Sequence, residues 1–101
     1  MHVSEGKARS GPLRGLKVVE LTTTIAGPVC ARLMADFGAD VIKVEPADGD
    51  PGRHFGARVD GVSLYAASMY RNKRTIAVDL KQAAGRDVVL RLLDRADILV
   101  E

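Results

Sequence analysis

A strand–helix–strand pattern near the start of the chain constrains the fold more than any other feature of the sequence. Lys17–Leu21 and Val41–Val44 are short, largely β-branched segments of the kind that form strands. Between them, the spacing of apolar residues predicts a helix that begins near Pro28 and ends at Gly38. Its predicted apolar face consists of Val29, Cys30, Leu33, Met34 and Phe37. The connection is long enough for a crossover, so the two strands should be parallel and buried on both faces.

The remaining residues extend this pattern into an α/β fold with an open parallel sheet and flanking helices. Residues 46–61 are rich in Pro, Gly and Asp and are interpreted as a long loop. A short helix is predicted at 63–70, a third strand at 75–80, a second helix at 82–95 and a fourth strand from 98. The stripe of that second helix is Val88, Val89, Leu92, Leu93 and Ala96. Because a buried last strand would lack a covering helix, we expect an incomplete sheet and the start of a longer protein.

Length and composition exclude several classes of protein. With 101 residues, the chain allows one small domain or part of a larger one, and a single cysteine excludes an internal disulfide. The net charge of +2 comes from interleaved acids and bases, which argues against nucleic-acid binding. Residues 1–11 are predicted to be a flexible tail rather than a signal peptide. Without an apolar run of membrane-spanning length, we expect a soluble, cytoplasmic protein that binds no membrane.

The loop from Thr22 to Pro28 follows the first strand and opens onto a helix N-terminus, a position that favours anionic ligands in α/β sheets. It carries no G-x-G-x-x-G or Walker A pattern, so its threonines could equally cap the turn.

Three further sets of residues are of types that can carry chemistry. Cys30 lies in the first turns of the helix, where a thiol can be activated, but a small buried residue beside Leu33 is the favoured interpretation. The histidines His2 and His54 are isolated, so no metal site is expected. A basic cluster around the third strand could hold a phosphate-rich ligand or form a solvated rim; it consists of Arg71, Lys73, Arg74 and Lys81.

Six segments in order resemble one enzyme family. They are GPLRGLKVVEL (11–21), AGP (26–28), FGADVIKVE (37–45), GDPGR (49–53), NKRTIAVDLK (72–81) and ADILVE (96–101). Together they resemble the class III CoA-transferase family, which includes formyl-CoA transferase, carnitine CoA-transferase and α-methylacyl-CoA racemase. The resemblance covers nearly the whole chain from Gly11 onward.

This resemblance implies a transferase that moves CoA between carboxylic acids through an aspartate nucleophile. That aspartate would lie downstream of this chain, so the 101-residue segment alone should be inactive. Residues 12–101 would be the N-terminal portion of a Rossmann-like large domain in an interlocked homodimer. The ligands implied are coenzyme A, as acyl-CoA, and a carboxylic acid, with no metal. The alternatives are an acyl-CoA racemase of the same family, or a non-catalytic nucleotide-binding or interaction module.

The resemblance also implies site residues. Thr24 would lie beside the CoA thioester, and Val78 and Lys81 at the adenosine end, with Lys81 a partner for a phosphate. No catalytic residue is expected here. Four aspartates are interpreted as caps and turn residues rather than nucleophiles: Asp36, Asp40, Asp79 and Asp97.

Two positions depart from the family pattern. Ile25 stands where formyl-CoA transferase has a catalytic glutamine, which argues against that specificity. Pro46 stands where several members place an arginine that contacts CoA, and Arg53 or Arg58 could substitute for it.

Overall fold

The computed structural model describes residues 9–101, which form six strands and three α-helices. In chain order the elements are β1 (Lys17–Glu20), α1 (Ala26–Asp36), β2 (Asp40–Glu45), a short 3-10 helix (Pro51–His54), β3 (Arg58–Val59), β4 (Val62–Ser63), α2 (Leu64–Met69), β5 (Arg74–Ala77), α3 (Ala83–Asp94) and β6 (Ile98–Val100). Most of the tail predicted over residues 1–11 lies outside the described residues.

Four strands form one parallel sheet in the order β5-β2-β1-β6. β1 pairs with β2 through Val18↔Val41 and with β6 through Val18↔Ile98. β2 pairs with β5 through Lys43↔Thr75. The predicted α/β class is confirmed. β2 and β5 lie on one side of β1, and the connection from β5 through α3 returns to place β6 on its other side. Ligands usually bind at the carboxyl ends of the strands in such open parallel sheets.

Both faces of the sheet are covered, as the β-branched strands predict. On one face Val18 and Val41 pack against α1 residues such as Ala31. On the other face Val19 and Val44 pack with α3. The predicted stripe of α3 is confirmed, since its valines, leucines and Ala96 all belong to this second core.

The predicted apolar face of α1 is only partly correct, although the helix itself is present: Met34 packs against the first core, whereas three other predicted members are exposed. The buried residues of α1 are Pro28, Ala31 and Ala35. Cys30 is exposed, and Leu33 and Phe37 are 46% and 51% exposed. The expectation that Cys30 is buried is therefore also wrong. Small residues on the inner face let the helix approach the strands closely, and such residues give little signal in an apolar pattern.

Residues 46–61 contain more structure than the predicted loop. The Asp50 side chain accepts a hydrogen bond from Gly52 N–H at 2.8 Å and begins the 3-10 helix. β3 and β4 form a small antiparallel hairpin with the register Arg58↔Ser63. Ser63 then caps α2 by accepting a hydrogen bond from Ala66 N–H. The loop interpretation is therefore corrected: this segment packs over the carboxyl end of β2.

Candidate functional site

A cleft of about 300 Å³ lies at the carboxyl ends of β1, β2 and β5. Its surface is mainly apolar, with one cation. The residues that line it are Leu21, Thr22, Thr23, Val44, Glu45, Pro46, Ala47, Val78, Asp79, Leu80 and Lys81. An apolar cleft with a few polar groups at this edge of a parallel sheet is typical of a small-molecule site.

The structure brings together two of the three predicted site residues. Val78 and Lys81 both line the cleft. Thr24 does not line it; its neighbours Thr22 and Thr23 do. Pro46, which departs from the family pattern, also lies in the lining.

Hydrogen bonds fix the turn that carries Lys81. Val78 N–H donates to the Glu45 carbonyl at 2.9 Å, which continues the pairing of β5 with β2. Asp79 Oδ1 accepts from Lys81 N–H at 2.9 Å, and the Arg86 guanidinium donates to the Leu80 carbonyl at 3.1 Å. The Lys81 side chain is thereby presented from an ordered turn.

Thr24 adopts a backbone conformation that is unusual for its residue type. Its φ is 72°, in the left-handed region, which is unfavourable for a β-branched residue. The Tyr65 hydroxyl donates a hydrogen bond to the Thr24 carbonyl. At Gly27, a Cβ atom would overlap the Thr22 side chain, so the loop folds tightly back on itself. Such strained residues persist only where the surroundings hold them.

A buried cluster of charged side chains lies beneath this loop and was not predicted. The side chains of Glu20, Lys43 and Lys73 are all 0% exposed. Glu20 Oε2 lies 3.1 Å from Lys43 Nζ, and Glu20 Oε1 lies 2.7 Å from Lys73 Nζ. Lys43 Nζ also lies 3.0 Å from the buried carboxylate of Asp50. The available signal was the presence of Glu20 and Lys43 inside otherwise apolar strands.

The cluster continues through a third carboxylate, Glu45, which lines the cleft. Arg53 donates two hydrogen bonds of 2.6 Å to Glu45, so its guanidinium is directed to Glu45. Burial acts to raise the pKa of Glu45, but the bonds from Arg53 and from Asp50 N–H outweigh it and hold that pKa below its ordinary value. Both cations also lie near the Tyr70 ring, whose centroid is 5.1 Å from Lys43 Nζ and 4.9 Å from Arg53 Cζ.

The four cations of the basic cluster do not converge on one ligand. Arg71 pairs with Asp36 at 2.6 Å, and Arg74 pairs with Asp40 at 2.7 Å. Lys73 is buried against Glu20, and burial lowers its pKa. Lys81 alone of these four lines the cleft.

The four aspartates that were interpreted as caps and turn residues make structural contacts. Asp36 and Asp40 are paired with arginines. Asp79 accepts from Lys81 N–H, and Asp97 accepts from Lys17 N–H at 2.8 Å. The Arg71 hydrogen bond lowers the pKa of Asp36. Each of the four carboxylates thus has a partner within the described residues.

Neither a membrane-spanning helix nor a metal-binding group of side chains is found within residues 9–101. In that range no helix is long and apolar enough to cross a membrane. The same residues contain no group of three or more His, Cys, Asp or Glu side chains arranged to hold a metal ion.

Comparison with known proteins gives a consistent result. The model of CoA-transferase family III matches residues 13–101. Succinyl-CoA–D-citramalate CoA-transferase from Chloroflexus aurantiacus is 45% identical over 92 residues, covering 89% of this chain and 23% of the relative. Formyl-CoA:oxalate CoA-transferase from Escherichia coli is 44% identical over 94 residues, covering 91% of this chain and 23% of the relative.

Solved structures agree with these sequence matches. The crystal structure of a CAIB/BAIF family protein from Brucella suis superposes with a TM-score of 0.82 and 42% identity, over 90% of this chain and 25% of that one. The chain thus spans about a quarter of the length of the relatives that it matches.

Proposed function

The chain belongs to CoA-transferase family III, and we propose that the full-length protein transfers CoA between carboxylic acids, with residues 13–101 forming part of its CoA-binding cleft. The observation that carries this proposal is the cleft itself. It lies at the ligand-binding edge of the sheet and brings Val78 and Lys81 together with the end of β1.

The chemistry of the lining supports coenzyme A as the ligand. The side chains of Leu21, Val44, Val78 and Leu80 offer an apolar surface for an adenosine group. Lys81 supplies a positive charge, which is what a phosphate group of CoA requires. No metal takes part in the proposed recognition.

The loop that contains Thr24 is proposed to lie beside the thioester of the bound acyl-CoA. Thr24 is exposed, and Thr22 and Thr23 connect it directly to the cleft. In this proposal the nucleophilic aspartate comes from outside the chain, which agrees with the structural contacts of the four aspartates described above. A homodimer is proposed because the family resemblance implies it, and a cytoplasmic location is proposed from the sequence, as expected above.

The experiment that tests the proposal measures CoA binding and CoA exchange by the full-length protein with a panel of acyl-CoA donors and carboxylic acids. We expect saturable CoA binding and transfer of CoA to at least one acid. Isomerisation of a 2-methylacyl-CoA without transfer would identify the racemase instead. Absence of CoA binding would contradict both enzymes and favour the interaction module.

A further inference from the structure

Two buried lysines hold the two ends of the segment Thr22–Pro28, which consists of the loop after β1 and the first turn of α1 and is called the Thr22–Pro28 loop below. Lys43 Nζ donates a hydrogen bond to the Thr22 carbonyl at 2.9 Å. Lys73 Nζ donates to the Pro28 carbonyl at 3.0 Å. These carbonyls lie at opposite ends of the loop, so each lysine fixes one end.

A single carboxylate couples the two lysines. Glu20 ends β1 directly before the loop, and its two oxygens each accept from a different lysine, Oε2 from Lys43 and Oε1 from Lys73. The Thr22 hydroxyl donates to the same carboxylate. We refer to Glu20, Lys43 and Lys73 as the loop clamp.

The strained residue lies between the two anchored ends. Thr24, with its φ of 72°, would relax toward a more common conformation if either end were released. Loss of the loop clamp should therefore change the backbone conformation of Thr24 itself, whereas a general loss of stability would affect the whole fold.

The loop clamp consists of charged side chains although all three are buried. Burying ionised side chains is costly, and a buried ion pair is often no more stabilising than well-packed apolar residues of the same size. An apolar side chain, however, cannot donate a hydrogen bond to the Thr22 or Pro28 carbonyl. Buried ammonium groups are thus suited to fixing the backbone of a loop in one geometry.

We propose that Glu20, Lys43 and Lys73 are positioning residues that preorganise the Thr22–Pro28 loop for the acyl-CoA thioester. The proposal rests on the proposed function for its ligand. The clamp does not touch the substrate; it acts through the backbone of the loop, and preorganised backbone geometry accelerates a reaction without strengthening ground-state binding.

The test uses the full-length protein with Lys73→Met, which keeps most of the length of the side chain and removes both its ion pair with Glu20 and its hydrogen bond to the Pro28 carbonyl. Amide hydrogen exchange is measured peptide by peptide, and kcat and KM are measured for CoA transfer. We expect exchange in residues 22–29 to become about tenfold faster while β6 is unchanged. We expect kcat to fall about tenfold and KM to change less than about threefold.

A matched control removes the neighbouring cation. Arg74→Met breaks an ion pair with Asp40 at the amino end of β2, away from the loop. Exchange in residues 22–29 and kcat should stay within about threefold of the wild-type values in this variant.

A second variant decides the question if Lys73→Met does not fold. Thr22→Val keeps the shape of the side chain against Gly27 and removes only the hydroxyl that donates to Glu20. It should accelerate exchange in residues 22–29 about threefold, with the same selective loss of kcat. Unchanged exchange in this loop, or faster exchange spread equally over the whole sheet, would overturn the proposal.

The exchange measurement needs no substrate, so it separates two kinds of failure. If the wild-type protein transfers no CoA, the proposed function fails and exchange alone decides whether the clamp holds the loop. If transfer is intact but both variants exchange as the wild type does, only the clamp proposal fails.

Discussion

At the scale of single residues, two lysines close in sequence illustrate how environment decides a role. Lys73 has its ammonium group buried and bonded to Glu20 and to the Pro28 carbonyl. Lys81 lies on the cleft, on a turn fixed by Asp79 and Arg86. In sequence they belong to one basic cluster, but only Lys81 is placed to meet a ligand in the cleft.

Lys81→Ala should weaken the binding of CoA to the full-length protein. An exposed ion contact of this kind contributes about 1 kcal/mol, so the Kd should rise about fivefold at low salt and less at high salt. Calorimetric titration with CoA at two salt concentrations measures it. Lys17→Ala, at the amino end of β1, is the control and should bind as the wild type does. Equal affinity of the two variants would remove Lys81 from the site.

At the scale of elements, α1 has two apolar faces and only the one formed by small residues is buried within residues 9–101. Ala31 is 0% exposed and packs against the sheet, whereas the larger Leu33 and Phe37 point away from it. Small residues occupy the inner face because α1 crosses from β1 to β2 and must pack closely over both strands, where a large side chain has no room.

Ala31→Leu should destabilise the protein, even though leucine is the more hydrophobic residue. Overpacking at a fully buried position costs about 1–3 kcal/mol. Urea unfolding of the full-length variant measures the loss. Cys30→Leu adds a large side chain at the exposed neighbouring position and should change stability by less than about 0.5 kcal/mol. A similar loss in both variants would mean that the buried face of α1 is assigned incorrectly.

At the scale of the whole molecule, buried charges link stability to pH. Burial opposes ionisation of both Glu45 and Asp50. It is outweighed at Glu45 by hydrogen bonds from Arg53 and from Asp50 N–H, and at Asp50 by those from Gly52 N–H and Lys43. The pKa of each carboxyl group therefore lies below its ordinary value. These contacts connect the carboxyl end of β2 to the segment that packs over it, so protonation of the two carboxylates should loosen that segment together with the fold.

Stability should therefore be lost in acid and not near neutral pH. The ordinary pKa values are 4.5 for glutamate and 3.8 for aspartate, and both folded-state values are lower. Below the ordinary values the unfolded chain binds more protons than the folded one, so the stabilisation is full above them and is lost as pH falls through the folded values. The urea midpoint, measured from pH 7 downward, should decline below about pH 4.5.

Asp50→Asn provides the control for this pH dependence. Its urea midpoint should be lower at neutral pH, because Lys43 loses a carboxylate partner, and should fall less steeply in acid. An acid decline as steep as that of the wild type would show that Asp50 does not take part in it.

Much of the architecture could be predicted because it depends on local patterns. Strands at Lys17–Glu20 and Ile98–Val100 and a helix at Ala83–Asp94 follow from the period of their apolar residues. Parallel pairing of β1 with β2 follows from the length of the connection between them. The place of Val78 in a cleft was implied by family resemblance alone, whereas Lys81 also belonged to the basic cluster that could hold a phosphate-rich ligand.

The sequence by itself determined the order and type of the main elements, because periodicity and turn residues act over a few positions. Only the tertiary structure decided which face of α1 is buried, since both faces carry apolar residues. It also decided that Glu20, Lys43 and Lys73 meet beneath one loop, although Glu20 and Lys73 lie 53 positions apart. Contacts between distant residues depend on the register of parallel strands, and no local pattern carries that information.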